Sequence, residues 1–410
     1  MAVRKSRLSN KIFSHMKKTI LFVAMPDSIH TCRWINQITQ QGWEVHLFPS
    51  TGGRTFHAEF DGVIAHYGFH TRLLEKKVLI NKFTMFVDKL LSYIWCLLAD
   101  RFYPEYRANQ LAKLVSKLRP DIVHSLEFQA AGYLTLRSKE ILKDQFPKWI
   151  ATNWGSDIYL FGRLQKHKGK IKDLLSSCDF YSCECERDLT LAHQFGFRKV
   201  SLPVFPNTGG FDLESLKPKR ENKTSTRRLI MLKGYQNWAG RSLVALRALE
   251  RSSDLLSEYE IYIYSASTDV IIAAELFTNK TGIATFIMPL DTPHHKILEL
   301  HGQARISIGL SISDAISTSL LEAMVMGSFP IQSCTACADE WIEHDTSGMI
   351  VPPEDPDIIE MAIRKALSDD DLVDNAAVMN WEVALNRLNG SLLKQKTIDM
   401  YDDILQSSKL

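Results

Sequence analysis

Residues 304–327 read ARISIGLSISDAISTSLLEAMVMG. The stretch changes character twice. The run RISIGLSI at 305–312 alternates β-branched and small residues, as a short buried strand does. STSLLEAMVMG then has helix-forming composition, with Ser317 or Thr318 as a natural N-cap. Asp314 falls in the turn between them. A strand that passes through a turn into a helix aims the unpaired first-turn amides, and the positive end of the helix dipole, at whatever lies beyond the strand; a phosphate or diphosphate suits that place. Asp314 and Glu322 flank this turn, eight residues apart, with Ser317, Thr318, Ser319 and Leu320 between them. One carboxylate before a phosphate cradle and one just past it can bracket a nucleotide diphosphate-sugar, each accepting hydrogen bonds from hydroxyls. On spacing alone the plain alternative stays open: an N-cap and a solvated Glu.

The same alternation of short apolar runs and longer amphipathic stretches extends over the 410 residues and argues for two parallel sheets flanked by helices. Strands are predicted at 18–25, 43–49, 62–68, 121–126, 147–153, 180–183 and 199–204, and helices at 31–41, 75–101, 105–118, 163–177 and 185–195. A turn-rich, charged stretch around 206–228 reads as a linker. A second series of strands follows at 228–234, 259–267, 284–290, 305–312, 329–333 and 348–353, with helices between and at 356–367 and 380–406. The expected plan is a basic arm over 1–17, a first doubly wound α/β domain over 18–210, a linker over 211–228 and a second such domain over 229–380. The helix within 381–410 is expected to cross back to the first domain. Two halves of this kind face each other across a central cleft, and ligands bind beyond the strand carboxyl ends.

Composition narrows the function. The formal net charge is +2, which gives no reason to expect a nucleic-acid partner. Seven scattered cysteines, odd in number, fit a reducing compartment; the CxC of Cys183 and Cys185 and the CxxC of Cys334 and Cys337 lack a matching pair at zinc-site spacing, and no metal is expected. No early stretch has the apolar core and small-residue cleavage site of a signal peptide, so the expected location is cytoplasmic. The start, MAVRKSRLSNKIFSHMKK, is basic and free of acids: a disordered arm, a contact with anionic membrane, or residues ahead of a later start at Met16. The segment 75–103, with Tyr93, Trp95 and Phe102, is interrupted by Lys82, Asp88 and Lys89 and is too short to span a bilayer. It reads as a helix packed on its own sheet, or as an amphipathic contact with a membrane face.

The run at 319–367 carries a more specific signal: Glu-Ala-Met, a Gly, a short strand, a Glu at 340, GMIVPP and a helix, all preceded by an acid eight residues ahead of the Glu, with seven residues between. It resembles the carboxyl-terminal half of the retaining family 4 glycosyltransferases, group 1 enzymes of GT-B fold with two Rossmann-like domains. The resemblance implies that Asp314 is placed against the donor sugar and Glu322 binds the ribose hydroxyls, while Ser317, Thr318, Ser319 and Leu320 cradle the diphosphate. In that family the first acid is usually Glu. The family's second phosphate grip, G-R-x-x-x-K-G, corresponds to GYQNWAG at 234–240, where Tyr235 and Ala239 stand at the Arg and Lys places. Lys233, Gly234 and Arg241 then become the donor-binding candidates of this stretch, with Arg241 favoured over Lys233 because it starts a helix beside Gly240.

In the first half, PDIVHSLEFQAAG at 120–132 resembles the family's strand ending in His-x-His, with His124 kept and Leu126 at the second His. TNWGSDIY at 152–159 resembles its H-G-x-D segment, with Trp154 at the His. His124 and Glu127 are the catalytic candidates here, Asp157 an acceptor-side one, and a plain structural role for His124 is the alternative. Ser28, His30 and Arg33, in DSIHTCRW after the first strand, are further acceptor-side candidates, against a capped helix start facing solvent. PNTGGFD at 206–212 resembles the family's interdomain P-N-G-V-D.

The expected activity is retaining transfer of a sugar from a nucleotide diphosphate-sugar to a hydroxyl acceptor, a glycan or a lipid-linked acceptor, in surface polysaccharide, lipopolysaccharide or glycolipid synthesis. Front-face chemistry of this kind needs no cofactor and no metal. Peripheral contact with an anionic inner membrane face is a further expectation. Two alternatives stay open: a nucleotide-sugar 2-epimerase of similar fold, and a non-catalytic sugar-nucleotide-binding partner subunit.

Overall fold

The computed structural model describes residues 17–51, 55–67, 70–74, 105–220 and 223–406. The predicted helix over 75–101 and the basic arm, Lys17 apart, lie outside these residues. The described residues form two α/β sheets. The first takes β1 (Thr19–Ala24), β2 (Glu44–Pro49), β3 (Val63–Tyr67), β4 (His70–Leu74), β5 (Ile122–Leu126), β6 (Lys148–Thr152), β7 (Phe180–Ser182) and β8 (Val200–Ser201), in the order β4-β3-β2-β1-β5-β6-β7-β8. β1 pairs in parallel with both β2 and β5, which puts the switch in strand order between β1 and β5. The strand β4, which the sequence pattern did not suggest, pairs antiparallel with β3 at the sheet edge. The predicted strand at 199–204 shrinks to two residues.

The second sheet comprises β9 (Leu229–Lys233), β10 (Glu260–Tyr264), β11 (Thr285–Ile287), β12 (Ala304–Gly309), β13 (Phe329–Ser333) and β14 (Met349–Val351). Its order is β11-β10-β9-β12-β13-β14 and every pairing is parallel. Numbered from its own first strand this is 3-2-1-4-5-6, the doubly wound arrangement, with the switch between β9 and β12. β1, β5, β12 and β13 are almost wholly buried, and β1 accordingly reads as a continuous apolar run rather than an alternating one.

By its contacts the chain divides into two compact units. One holds the described residues up to Thr152 with Leu174–Tyr181 and the residues from Thr397; the other holds Asn153–Asp173 and Ser182–Lys396. The stretch predicted as a linker is packed into the second unit: Phe211, Leu213 and Leu216 share a buried cluster with Leu298, Leu320, Leu321 and Met324. Its turn residues bend the chain, while its few apolar residues anchor it. The pattern predicted as one helix over 380–406 is two, Asp370–Arg387 and Gly390–Gln406. Asn389 caps the second, its side-chain oxygen accepting the amides of Ser391 and Leu392.

That last helix begins in the second unit and ends in the first. Tyr401 on it is fully buried; its hydroxyl accepts from Trp34 Nε1 at 3.0 Å and lies 2.6 Å from His124 Nδ1. Among the described residues no helix is long and apolar enough to cross a membrane.

Candidate functional site

The turn and helix after β12 organise the second unit's site. The helix Thr318–Met326 is buried along nearly its whole length, from Ser319 to Met326, so it is a core helix rather than an amphipathic surface one. Gly327, at φ +77°, ends it in the left-handed conformation that a side chain would strain. Ser317 is the N-cap residue, but its hydroxyl bonds Ser319 Oγ at 2.7 Å rather than a helix amide. The amide of Leu320 turns back to the Ser317 carbonyl at 2.9 Å. The amides of Thr318 and Ser319 precede any intrahelical acceptor, as at every helix start.

Glu322 is the one charged residue of this apolar helix, and its side chain is 6% exposed. A carboxylate taken so far from water requires donors. One comes from the helix His294–Gln303: His294 Nε2 lies 2.6 Å from Oε1, while His301 Nε2 on the same helix stands 3.7 Å from Oε2, beyond hydrogen-bond reach. Burial pushes His301 down to about 4, so its ring is neutral near pH 7, and Nδ1 pairs with Ser307 Oγ at 2.8 Å. Burial, followed by the nearby Glu322 charge, pushes the Tyr264 hydroxyl well above its usual range, and its ring packs edge-on to His301 at 5.7 Å.

Asp314 is half-buried, and its Oδ1 accepts its neighbour's amide, that of Ala315, at 3.0 Å. The residues that fix its position lie far away in sequence. A Cβ at Gly155 would come within 2.8 Å of Asp314 Oδ1, so only glycine lets the WGSD turn approach this closely. Within that turn Asp157, itself buried, accepts the Trp154 amide at 2.7 Å. Arg187 donates to the main-chain carbonyls of Asp314 at 2.7 Å and Thr335 at 3.0 Å, and to Asp188 Oδ1 at 2.9 Å. Glu340 accepts the amides of Glu186 and Arg187 at 3.0 and 3.1 Å, at the start of the helix Glu186–Gln194. Beside this network Glu184 accepts the Asn207 amide at 2.7 Å, and burial pushes its carboxyl up to about 8. Among the described residues Cys185, Cys337 and Glu340 are close enough to share a metal ion, with the two sulfurs 3.0 Å apart.

The loop after β9 meets β12 at the strand-order switch. The Arg241 amide donates to the Leu310 carbonyl at 3.0 Å and the Ile312 amide to the Ala239 carbonyl at 2.9 Å. Lys233, the last residue of β9, holds its ammonium 4.8 Å from the centroid of the Tyr235 ring. Gly234 continues the strand edge, its amide donating to the Tyr264 carbonyl at 2.8 Å. Arg241 is tied to its own loop: Nε pairs with Glu354 at 2.8 Å, and NH1 reaches the carbonyls of Asn237, Ala239 and Gly240. In this arrangement its guanidinium shapes the loop.

In the first unit, β1 and β5 carry the remaining candidates. Ser28 caps the helix Ile29–Asn36, its hydroxyl accepting the Thr31 amide at 3.4 Å; His30 and Arg33 follow on the same helix, both half-buried. His124 is fully buried with both ring nitrogens engaged, at 2.6 Å to Tyr401 and 2.6 Å to Thr152 Oγ1, and burial pushes it down to about 3. Glu127, at φ +76°, folds its carboxylate over the following turn to accept the amides of Ala130 and Ala131. Burial raises its carboxyl above the usual range, and those amides pull the other way. Asp157, expected on the acceptor side, groups by its contacts with the second unit.

Residues 274–378 match the family model for glycosyl transferases group 1, and residues 103–181 that for glycosyl transferase 4-like proteins. The two segments are thus each similar to a glycosyltransferase family, 274–378 to group 1 and 103–181 to the 4-like proteins. Solved structures agree on the GT-B fold. A glycosyltransferase from Rickettsia africae is similar over 95% of this chain and 99% of its own, at 16% identity and TM-score 0.63. Sucrose-phosphate synthase from Thermosynechococcus elongatus covers 95% of this chain and 100% of its own, at 11% identity and TM-score 0.67. HepE from Anabaena, in complex with UDP and glucose, covers 94% of this chain and 100% of its own, at 12% identity and TM-score 0.66. No curated protein matches this glycosyltransferase in sequence.

Sequence reasoning placed Asp314, Glu322 and the helix start together, and the structure brings Lys233, Gly234 and Arg241 to the neighbouring strand end. It missed His294, His301 and Arg187. The two histidines were findable: seven residues apart on one helix, they share a face within about 20°. Arg187 carried no local signal, because its partners lie 127 and 148 residues away.

Proposed function

We propose that this glycosyltransferase takes a nucleotide diphosphate-sugar as donor and transfers the sugar, with retention, to a hydroxyl of a glycan or lipid-linked acceptor in surface polysaccharide, lipopolysaccharide or glycolipid synthesis. The observation that carries this reading is the helix start after β12, with half-buried Asp314 just before it and buried Glu322 one turn inside it. The diphosphate lies on the Thr318 and Ser319 amides and the Ser317 and Ser319 hydroxyls, with Lys233, at the end of the neighbouring strand β9, as the candidate cation. Glu322 takes the ribose hydroxyls and Asp314 a sugar hydroxyl. The Anabaena neighbour's UDP and glucose support a donor of this class.

Catalysis in this reading is positional and electrostatic. The helix-start amides stabilise the charge that grows on the leaving diphosphate, and the diphosphate accepts the acceptor hydroxyl's proton as it departs. No enzyme nucleophile is required. His124, enclosed in the first unit's core, acts by holding β5 in place. One observation favours a second reading, a binding subunit without turnover: Tyr235 and Ala239 stand where two cations are usual, and Arg241 is already paired.

One experiment tests both. The protein is incubated with a panel of nucleotide sugars, with and without acceptor glycans, while nucleoside diphosphate release and the anomeric configuration of the product are followed. Acceptor-dependent release with retained configuration is expected. Nucleotide binding without release under any pairing would favour the second reading, and acceptor-independent conversion of the sugar would favour an epimerase.

A further inference from the structure

The proposed transfer chemistry leaves Cys185 and Cys337 without a task. Cys185 stands just before the helix Glu186–Gln194, and Cys337 lies in the turn after β13. Both are buried, and their sulfurs are 3.0 Å apart although 152 residues separate them in sequence. The Cys337 thiol donates to Cys185 Sγ, and the Cys185 thiol donates in turn to the Asp188 carboxylate. A shared metal fits this pair poorly. Two thiolates on one tetrahedral zinc stand about 3.8 Å apart, and both Glu340 oxygens already accept main-chain amides. A disulfide fits better, since its sulfurs lie about 2.05 Å apart and the pair closes by a shift of about 1 Å. Three residues before Cys337, in the same turn, Cys334 is exposed.

We propose that Cys185 and Cys337 are a modification site: they close to a reversible disulfide under a peroxide oxidant that enters at Cys334, and the closed bond slows sugar transfer. Hydrogen peroxide oxidises Cys334 Sγ to a sulfenic acid and leaves as water. The Cys337 sulfur attacks the sulfenic sulfur, and a second water departs with the hydroxyl of Cys334 and the proton of Cys337. Cys185 then attacks Cys337 Sγ, giving its proton to Asp188, and Cys334 is released and regains a thiol proton. In sum two thiols lose two electrons and two protons, and one peroxide becomes two waters. Exchange with a small dithiol reverses it.

The link to transfer rests on the nucleotide-sugar reading given above. Ala315, next to Asp314, is packed in one buried cluster with both cysteines. Arg187, two residues after Cys185, donates to the carbonyls of Asp314 and of Thr335, two residues before Cys337. Drawing the sulfurs together therefore moves the elements that hold the Asp314 turn, and a site that works by positioning loses rate when displaced.

The test treats the full chain with hydrogen peroxide, alkylates the remaining thiols and maps bridges by mass spectrometry of unreduced peptides, alongside initial rates of nucleoside diphosphate release. Wild type is expected to yield a Cys185–Cys337 bridge, with transfer lowered about fivefold or more and restored by dithiothreitol. Cys337→Gly, which suits the φ of +45° at that position, is expected to keep the reduced rate and lose the response. If Cys337→Gly does not fold, Cys185→Ala takes its place. Cys334→Ser is expected to form the same bridge about tenfold more slowly. Four results each overturn the proposal: Cys185 and Cys337 both alkylated after peroxide, a bridge that stops at Cys334 and Cys337, an equal bridging rate in Cys334→Ser, or bridged protein that transfers at the reduced rate. Reduced wild type that releases no nucleoside diphosphate with any donor and acceptor overturns the nucleotide-sugar reading, while the bridge is judged by the peptide map alone.

Discussion

β5 and β12 hold equivalent places in their sheets, each beside the first strand and across the strand-order switch, and their carboxyl ends are built in opposite ways. At β5 the two candidate side chains turn inward. His124 is enclosed by Tyr401 and Thr152, and Glu127 is spent on the amides of the turn that follows it. After β12 the helix amides precede any acceptor, Asp314 stays half-buried, and Glu322 bonds a partly exposed histidine. One strand end is knitted shut and contributes to stability; the other is the one to which the proposed donor is assigned. The same α/β geometry serves either purpose, and the side-chain bonding decides which.

The largest effect is expected at the open end. Glu322→Ala and Asp314→Ala should each lower transfer by about a hundredfold or more with melting temperature little changed, read from initial rates of nucleoside diphosphate release. Intact transfer in Asp314→Ala would remove the sugar contact assigned to it. Next in size is the closed end: His124→Ala strands the buried hydroxyls of Tyr401 and Thr152 and should cost about 2–4 kcal/mol of stability in urea unfolding, with nucleotide affinity unaltered. A loss of affinity instead would break the contrast between the two ends.

A smaller effect sharpens the comparison. Arg187 holds the Asp314 loop only through main-chain carbonyls, so Arg187→Ala should lower kcat by about tenfold while nucleotide affinity stays near wild type. Arg187→Lys should not restore it, since a single ammonium cannot match the planar fork that spans both carbonyls. A pH effect is expected at Glu184. Its folded pKa of about 8 lies above the ordinary carboxylate value, so the native state keeps a proton that the unfolded chain releases. The stability it contributes is full below the ordinary value and is lost as pH rises toward 8. Glu184→Gln should flatten this slope, at most about 1.4 kcal/mol per pH unit for a single proton, in unfolding curves taken from mildly acidic to mildly basic pH.

Much of the fold was legible because parallel strands buried on both faces write near-continuous apolar runs into the sequence, as ILFVA does within β1. The β4 strand was not legible, since its HTRLL has the mixed polarity of an edge. At the site, what lies within ten residues of the 314–322 turn could be read, because a helix start and its flanking acids are local features. Glu127 could be singled out as a carboxylate after a strand, but not its turn-capping conformation, which depends on a positive φ. The grip of Arg187 on Asp314 and the bond of His294 to Glu322 exist only once distant segments are packed together.

Tyr401 has a consequence for the time at which the first unit can form. It follows Trp34 by 367 residues and His124 by 277, yet its hydroxyl completes the hydrogen bonds of both. At ribosomal speeds of about 5–20 residues per second, those partners wait on the order of tens of seconds for it. The amino-terminal sheet, made first, is thus among the last parts to close, and a nascent chain that stalls before residue 397 exposes the apolar surface around Trp34 and Phe22 to chaperones and to other unfinished chains.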